Sequence, residues 1–365
     1  MLFQIPTSTE ELAGRLGELD QLRAALGREI TNPSPWLGTL RRLAKASSVE
    51  SSVSIEGFEV PQGEALAIVS GSATEADDEN RKAVADYARA MDHVGVMTLD
   101  PVFKWSDRVI LDLHFDACYF QQDKGPGRWR TGPISVTGSD GRQAYEGPEA
   151  DRVAGLMAEV VEWLQNGDLD THVVVRAAMA HLHTVSVHPF RDGNGRISRI
   201  VQSLVLAREG LLSPEFASIE EYLANNTPEY YAVLQRVQGG SYSPERDASE
   251  WVAFCVEAHI SQARRRLDQI AEASSRWRYL ERLAPSRGWP DRLVIALEQS
   301  LIGGTDRTKY EQEAEISTAT ASNDFRRLLD AGLVSQVGRG RSTRYFASET
   351  LRSEVGEAVA YRERT

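Results

Sequence analysis

The chain has 365 residues, a formal net charge of -12, and 41% hydrophobic and 26% charged residues. This length predicts two or three domains with cores of ordinary size, and the acidic balance argues against a general nucleic-acid-binding protein. The first residues lack the basic start and apolar run of a signal peptide, and no stretch is long enough to span a bilayer, so we expect a cytoplasmic protein without membrane contact. The two cysteines, Cys118 and Cys255, are too few for a disulfide framework and predict ordinary core residues.

Helical periodicity dominates the chain ahead of its C-terminal tail. Apolar residues recur at three- and four-residue steps in the segments 34–57, 76–94, 148–167 and 171–187. The interval 125–150 lacks this pattern and has Gly, Pro and Ser-Asp-Gly turn signals around a short Ile-Ser-Val, which predicts a β-hairpin. The expected fold is therefore mainly α, a helical bundle into which one hairpin is set.

Four parts are expected along the chain. The periodicity is lost around 276–290, where Pro and Gly appear, so this stretch is predicted to be a linker. The expected parts are an N-terminal helical region at 1–104, a central domain at 105–275, the linker at 276–290 and a C-terminal domain at 291–365. The last part carries 11 Lys and Arg against 12 Asp and Glu, so most of the net negative charge lies before it.

The segment His-Pro-Phe-Arg-Asp-Gly-Asn-Gly-Arg at 188–196 joins two helical patterns. Gly193 and Gly195 allow a tight turn and a close approach of the backbone to a ligand, and the amides that begin the second helix form an anion site. Arg196 and Arg199 share a helical face and can grip further phosphate oxygens, which indicates a polyphosphate. A loop of this kind is suited to binding a nucleotide.

Two further side chains of this segment supply reactive groups. The carboxylate of Asp192 is a hard oxygen ligand that suits Mg²⁺ bridging phosphates. The imidazole of His188 has the intrinsic pKa needed to accept a proton from a hydroxyl near pH 7. The segment therefore predicts attack of a hydroxyl on a nucleotide phosphate.

The same residues carry a resemblance to a known family. The sequence matches the signature H-x-F-x-[D/E]-G-N-G-R-x-x-R of Fic-domain enzymes at His188, Phe190, Asp192, Gly193, Asn194, Gly195, Arg196 and Arg199. Most Fic enzymes transfer AMP from ATP to a hydroxyl side chain of a target protein. The resemblance implies a protein adenylyltransferase of the Fic fold, with ATP and Mg²⁺ as its substrate and metal.

Roles for the matched residues follow from the resemblance. It implies that His188 is the general base for the Ser, Thr or Tyr hydroxyl of the target and that Asp192 is the magnesium ligand. The turn from Gly193 to Gly195 would hold the α- and β-phosphates, with Asn194 contacting them. Arg196 would reach the transferred region and Arg199 the γ-phosphate. Phe190 would point inward and hold the loop in the core.

Flanking segments are similar to the family as well. The residues 127–136 resemble its β-hairpin flap, which lies over the active site and aligns the backbone of the target. The residues 225–234 resemble a Tyr-Tyr element near the adenine, which implicates Tyr230 or Tyr231. Aromatic pairs on helices are more commonly core residues, and that alternative stays open.

An upstream segment has the character of an inhibitory element. Glu56 stands just before Gly57, at the end of a predicted helix, where a carboxylate is disfavoured unless a cation compensates it. The segment resembles the [S/T]-x-x-x-E-[G/N] helix of Fic proteins at Ser52, Glu56 and Gly57. The resemblance implies that Glu56 pairs with Arg199, takes the place of the γ-phosphate and makes the enzyme self-inhibited.

The C-terminal part predicts helix, helix, helix and a two-stranded wing, the element order of a winged helix-turn-helix domain. Five arginines and one acidic residue lie between Arg326 and Arg344, which favours contact with DNA phosphates. Protein binding or simple packing is the alternative. The candidate DNA contacts are Thr320, Ser322, Asn323, Arg326, Arg339 and Arg341.

Three hypotheses therefore remain for the function. The first is a self-inhibited adenylyltransferase that modifies a target protein and itself. The second is a DNA-binding transcriptional regulator that uses the Fic domain as a nucleotide sensor. The third keeps the fold but uses another nucleotide donor or removes AMP from a modified protein. A homodimer is the default expectation for the assembly.

Overall fold

The computed structural model describes residues 1–61, 63–71, 78–138, 141 and 143–362, and the side chains of residues 341 and 360–362 lie outside this description. The chain divides into two compact units, Met1–Leu267 and Asp268–Thr365. Helices predominate in both, as predicted. In the described residues, no helix combines the length and the apolar character needed to cross a bilayer.

The first unit is built from helices and one hairpin. Its helices are α1 (Glu10–Thr31), α2 (Leu37–Ser54), α3 (Glu64–Val69), α4 (Glu79–Leu99), α5 (Asp107–Ala117), α6 (Ala150–Asn166), α7 (Val173–Val187), α8 (Asn194–Arg208), α9 (Pro214–Ala217), α10 (Glu220–Asn225), α11 (Thr227–Gln238) and the long α12 (Ser249–Ser286). A short 3₁₀ turn lies at Gln122–Lys124. The hairpin consists of β1 (Ser135–Thr137) and β2 (Gln143–Glu146).

Helices α7 and α8 form the centre of this unit. Every residue of α7 from Val174 to Val187 except Arg176 is buried, and α8 is buried from Asn194 to Ala207 except at Gly195. A helix that is buried all round needs apolar or small residues on every face, and α7 supplies them with valines and alanines. The two helices pack against each other, and α8 also packs on α4 and α5. The loop 188–193 between them is thereby held at a fixed place.

Helix α2 ends two residues before Glu56, rather than at it as the sequence suggested. Its last helical residue is Ser54, and the turn that follows is closed by a hydrogen bond from the amide of Phe58 to the carbonyl of Val53. Gly57 has a φ of 86°, a left-handed conformation that favours glycine. The helix end and this turn place Ser52 and Glu56 on one side.

The predicted hairpin is present. Strands β1 and β2 pair antiparallel, with Ser135 opposite Glu146 and Val136 opposite Tyr145. The amide of Glu146 also donates to the carbonyl of Gly240, so β2 is fixed to the chain after α11. Because the sheet has only these two strands in the described residues, the other edge of β1 is not paired with a strand.

In its described residues, the second unit contains the C-terminal part of α12, followed by three helices, two strands and a final helix. The elements are α13 (Leu293–Leu301), α14 (Arg307–Glu313), α15 (Thr318–Asp330), β3 (Val334–Val337), β4 (Arg344–Ala347) and α16 (Glu349–Arg362), with a 3₁₀ turn at Gly340–Ser342. Strands β3 and β4 pair antiparallel. Buried Asp324 accepts hydrogen bonds from Arg292 and Tyr310, which joins α15 to the start of α13 and to α14.

The predicted linker at 276–290 requires a correction. Helix α12 continues through Ser286, and the boundary between the two units falls at Leu267 and Asp268, inside that helix. Leu280 and Ala284 are fully buried in the core of the second unit. Their burial stabilises helix in a stretch whose Pro285 and neighbouring Gly288 favour a break, so tertiary packing overrides the local signal.

Candidate active site

His188 ends α7 and is held as a proton acceptor. Its backbone adopts a left-handed conformation with a φ of 49°, which is strained for a residue other than glycine and occurs preferentially at functional sites. Its Nδ1 lies 3.0 Å from the carbonyl oxygen of Val185 and therefore donates to it, leaving Nε2 as the acceptor. Burial lowers the pKa of His188 below its usual value. The ring is thus neutral and competent as a base at neutral pH.

Asn194 closes the loop after His188. Its Oδ1 accepts from the amide of Phe190 and its Nδ2 donates to the carbonyl of Phe190, both at 2.9 Å. Nδ2 carries a second proton and Asn194 lines the cavity, so the expected contact with phosphates stays a prediction. Phe190 is fully buried, as the resemblance implied.

His114, which sequence analysis did not identify, lies beneath the loop. Its ring stacks on Phe190 at a centroid distance of 3.5 Å and an interplanar angle of 4°. Its Nε2 donates to the carbonyl of Asp192 and its Nδ1 accepts from the amide of Gly127, both at 2.9 Å. Burial lowers the pKa of His114 to about 4, so it stays neutral and keeps this tautomer. No sequence pattern near His114 signals this role, since the partners come from two distant segments.

A Cβ at Gly193 or at Gly195 would meet close neighbours. Gly193 has a φ of 74°, and a Cβ there would collide with Cys118 Sγ and lie 3.2 Å from His114 Nε2. A Cβ at Gly195 would collide with the Glu56 carboxylate. The first amides of α8 have no intrahelical acceptor, and the helix dipole favours an anion at this end. A carboxylate therefore lies at the predicted phosphate site.

The carboxylate of Asp192 reaches the cavity and is 37% exposed. Its Oδ1 accepts from the amide of Gly193 at 2.6 Å, and its Oδ2 accepts from Gln121 Nε2 at 2.9 Å. Oδ1 also accepts a long hydrogen bond from Arg196 Nη2 at 3.5 Å, whereas Oδ2 keeps a second lone pair. Mg²⁺ is commonly held by one or two carboxylates together with substrate phosphates and water, so a single exposed carboxylate beside an anion site fits that metal. The described residues hold no cluster of three or more His, Cys, Asp or Glu that would bind a metal without a substrate.

Arg196 occupies a different place from the one expected. Its side chain is fully buried and does not line the cavity, so it does not reach a transferred group in this arrangement. Its Nη2 donates to Gln121 Oε1 at 2.8 Å, and its guanidinium lies over the rings of Phe58 and Phe120. The reason is its position in the first turn of α8, where the side chain turns inward toward the end of α5 and toward Phe58.

Arg199 binds two residues at the end of α2, Ser52 and Glu56. Its Nη2 donates to Glu56 Oε1 and to the carbonyl of Ser52, both at 2.9 Å, and its Nε donates to Ser52 Oγ at 2.7 Å. Burial by itself lowers the pKa of Arg199, but the Glu56 carboxylate together with the hydroxyls of Tyr230, Tyr87 and Tyr231 outweighs burial, and the pKa lies above its usual value. The guanidinium is therefore charged, and the carboxylate of Glu56 is its counter-ion in the described residues.

Arg130, a second residue that sequence analysis did not identify, joins the hairpin to the loop. Its Nε donates to the carbonyl of His188 and its Nη1 to that of Gly132, both at 2.8 Å. Its own amide donates to the carbonyl of Pro189 at 2.9 Å. The segment that leads into β1 is thus fixed to the residue that carries the base.

Tyr230 and Tyr231 both line the cavity but differ in environment. Tyr230 is buried and its hydroxyl lies 3.1 Å from Nε2 of buried His181. Tyr231 is 46% exposed, and its hydroxyl donates to the carbonyl of Ile55 at 3.3 Å. Tyr231 is therefore the one of the pair with a ring surface open to a ligand.

A cavity of about 1180 Å³ is lined by residues of the loop, of the hairpin and of α11. Its lining includes the hairpin residues 134–138 and 143–145, the loop residues His188 and Asp192, and Glu56. Pockets for a single small molecule usually measure roughly 300–1,000 Å³. The cavity is large enough for a nucleotide together with a segment of a second substrate.

The predicted DNA contacts lie on α15 and the turn between β3 and β4. Asn323 and Arg326 are exposed, with Arg326 Nη1 donating to Asn323 Oδ1 at 3.3 Å, and Arg339 is exposed in the turn. Thr320 Oγ1 lies 2.9 Å from Ser317 Oγ, and Ser322 Oγ donates to the carbonyl of Thr318 at 2.8 Å. These two hydroxyls are occupied within the helix, and the Arg341 side chain is outside the described residues.

Comparison with known proteins agrees with the geometry of the first unit. The Fic/DOC family model matches residues 104–206, which contain the hairpin, α7, the loop and most of α8. This part of the chain is a Fic domain. Protein adenylyltransferase fic-1 of Caenorhabditis elegans is 33% identical over 136 residues, which make up 37% of this chain and 24% of that protein. Protein adenylyltransferase Fic of Drosophila willistoni is 28% identical over 208 residues, 54% of this chain and 38% of that protein.

The chain thus spans less than half the length of these two relatives. Two solved structures resemble the Fic domain and its surroundings. A Fic family protein from Desulfovibrio desulfuricans has a TM-score of 0.61 at 19% identity and covers 95% of this chain and 99% of its own. Fic-1 of C. elegans has a TM-score of 0.57 at 23% identity, and the match covers 71% of this chain and 73% of the C. elegans chain. At these identities the likeness is one of fold.

Proposed function

We propose that the protein transfers AMP from ATP to a hydroxyl side chain of a target protein. The observation that carries this proposal is the state of His188, a neutral ring whose Nδ1 is occupied by Val185 and whose Nε2 remains an acceptor. The same cavity contains the start of α8 and the carboxylate of Asp192. The names of the curated relatives, protein adenylyltransferases, agree with this chemistry.

In the proposed reaction the hydroxyl oxygen of the target bonds to the α-phosphorus of ATP, and the bond from that phosphorus to the bridging oxygen breaks. The hydroxyl proton moves to His188 Nε2, and pyrophosphate leaves. The amides that begin α8 would bind the α- and β-phosphates, and Asp192 would hold Mg²⁺. When bound, Mg²⁺ would neutralise the charge that develops on the phosphates.

The protein is proposed to inhibit itself through Glu56. The carboxylate of Glu56 binds the guanidinium of Arg199, which is expected to bind the γ-phosphate. It also fills the space beside Gly195, where the phosphate chain is expected. Two anions cannot share this site without a large electrostatic cost. ATP then binds only with its phosphates displaced from His188.

Replacement of Glu56 tests both proposals. We expect Glu56→Gly to incorporate at least tenfold more radioactivity from α-labelled ATP into itself or into lysate proteins than the parent protein. Glu59→Gly is the matched control, because Glu59 is exposed three residues away. The double variant Glu56→Gly with His188→Ala should lose the label. Labelling by the Glu56→Gly variant that equals the parent would contradict self-inhibition, and stronger labelling from GTP, CTP or UTP would assign another donor.

We propose DNA binding by the second unit as a second function. Its element order of three helices and a two-stranded wing is that of a winged helix-turn-helix. Arg326 and Arg327 on α15, and Arg339 and Arg344 at the β3–β4 turn, are exposed, and in the described part of the chain none of them forms a salt bridge. Four cations without acidic partners favour a polyanion as their ligand.

Duplex binding at several salt concentrations tests this second proposal. Affinity falls as salt rises, and each phosphate contact adds about 0.9 to the steepness of log affinity against log salt. Arg326→Ala and Arg339→Ala should therefore each make this dependence less steep by about one. Arg278→Ala is the control, because this exposed arginine of α12 donates to Ser274 on its own helix. Affinity that does not change with salt, or no binding at all, would refute the proposal.

A further inference from the structure

The inhibitory segment, defined as Ser52–Phe58, contacts the Fic motif at a second place. The ring of Phe58 lies against the guanidinium of Arg196, with 5.4 Å between Arg196 Cζ and the ring centroid. Phe120 contacts the same guanidinium at 5.4 Å, and the two rings meet edge to face at 5.3 Å. The buried cation of Arg196 is therefore enclosed by two aromatic rings, one of which belongs to the inhibitory segment.

Arg196 in turn supports the residue that would bind Mg²⁺. Its Nη2 donates to Gln121 Oε1 at 2.8 Å, which fixes the orientation of the Gln121 amide. Gln121 Nε2 then faces Asp192 and donates to Oδ2 at 2.9 Å. A continuous path of contacts leads from Phe58 through Arg196 and Gln121 to the Asp192 carboxylate.

The two aromatic rings stabilise the charge of Arg196 together with two long hydrogen bonds, from Nη2 to Asp192 Oδ1 at 3.5 Å and from Nη1 to the carbonyl of Ala117 at 3.4 Å. Its guanidinium is fully buried, its nearest carboxylate in the described residues is Asp192 at 3.5 Å, and its Nε has no hydrogen-bond partner there. A desolvated cation of this kind is stabilised by the faces of aromatic rings. If Phe58 is removed, we expect the guanidinium to gain access to water, so that its hydrogen bond to Gln121 is held less firmly in place.

We propose that Phe58 is a positioning residue for Asp192, so that the inhibitory segment both excludes the γ-phosphate with Glu56 and supports the metal ligand with Phe58. This inference rests on the proposed function, which assigns Mg²⁺ to Asp192. It has a consequence for regulation. Activation requires Glu56 to move while Phe58 stays in place, so detachment of the whole segment yields a protein that binds nucleotide but holds the metal poorly.

The test measures metal binding in a variant without turnover. Glu56→Gly with His188→Ala serves as the parent, a non-hydrolysable ATP analogue is kept in excess, and binding of Mn²⁺ is followed by the electron paramagnetic resonance signal of the free ion. We expect Phe58→Ala or Gln121→Ala to weaken Mn²⁺ binding roughly tenfold or more, as is usual for residues that orient a ligand. Affinity for the analogue without metal should stay within twofold.

Three variants control for packing and folding. Phe58→Tyr keeps the ring face and should bind Mn²⁺ like the parent, whereas Phe58→Leu keeps much of the bulk without the face and should resemble Phe58→Ala. Phe103→Ala removes the ring beneath Arg208, whose guanidinium donates to the carbonyls of Met97 and Asp100, and should have no effect. Unchanged Mn²⁺ affinity in folded Phe58→Ala, or no Mn²⁺ binding by the parent, would overturn the inference. Because no turnover is measured, either failure is distinct from a failure of AMP transfer.

Discussion

The Glu56 carboxylate lies in the space that a Cβ at Gly195 would need. An added methyl group would therefore displace Glu56 from the start of α8, but it would remain there itself. Binding of the Glu56 carboxylate, or of a phosphate, at the start of α8 thus requires that residue 195 have no Cβ.

We expect Gly195→Ala to leave labelling no higher than in the parent, and Gly195→Ala in the Glu56→Gly background to lower labelling about 100-fold, since small misplacements of a bound reactant have effects of that size. Folding should not suffer, because alanine is the better helix former. Gly155→Ala on α6 is the control, as its Cβ would meet no atom within 4 Å. If Gly195→Ala activates the protein as Glu56→Gly does, the amides of α8 do not hold the phosphates.

The pH dependence of labelling should report the state of His188. Burial lowers its pKa below 6.5, and the charged groups that face it are Arg130, which also lowers the pKa, and Glu56 and Asp192, which raise it. A general base works in its unprotonated form, so kcat/KM of the Glu56→Gly variant should rise with pH and reach a plateau, with the midpoint below 6.5. Nucleotide binding by the His188→Ala variant, measured over the same pH range, separates ionisation of the ligand from that of the base. A midpoint above 6.5, or a rate that falls as pH rises, would contradict this assignment.

Two buried histidines of α7 should respond oppositely to replacement by leucine. In the described residues, neither ring nitrogen of His183 has a hydrogen-bond partner, whereas His181 binds Gln202 at 2.7 Å and Tyr230 at 3.1 Å. An unpaired buried polar group costs about 1–3 kcal/mol, so His183→Leu should stabilise the first unit and His181→Leu should destabilise it by a similar amount. Hydrogen exchange of the α7 amides in the intact chain measures both changes. Equal destabilisation by the two variants would show that His183 has a partner.

Acid should also destabilise the first unit through these histidines. Burial lowers the pKa of His183 from 6.5 to about 3, so the unfolded chain binds a proton in this range that the folded chain does not. Stability is therefore full above pH 6.5 and falls as the pH drops toward 3. His183→Leu should reduce this dependence by about 1.4 kcal/mol per pH unit, read from hydrogen exchange at pH 5 and 6. An unchanged dependence would mean that His183 is protonated in the folded protein.

The features that could be predicted from the sequence are those that depend on residues close together in the chain. The helix, loop and helix around Gly193 and the hairpin at 125–150 each depend on turn residues and periodicity within one segment, and the Fic domain was predicted from the motif of that loop. The pairing of Glu56 with Arg199 joins distant segments, and only the family resemblance implied it.

Other features could not be predicted because they are set by packing between distant segments. His114 and Arg130 act on the loop through main-chain carbonyls, which leave no trace in residue type. Arg196 fits a phosphate contact by its spacing, but the ring faces of Phe58 and Phe120 make its burial possible. Residues 276–286 are helical because Leu280 lies in a core that forms only when the second unit is assembled.

Arg130 has a consequence for the choice of target residue. In the described residues, the Arg130 side chain donates to three main-chain carbonyls, those of His188, Gly132 and Pro148, and to no acidic group. We therefore expect acid and salt to leave these contacts between the segment leading into β1 and His188 intact. If a target strand binds along the β1 edge, as the proposed function requires, we expect the length of its side chain to determine which hydroxyl reaches His188.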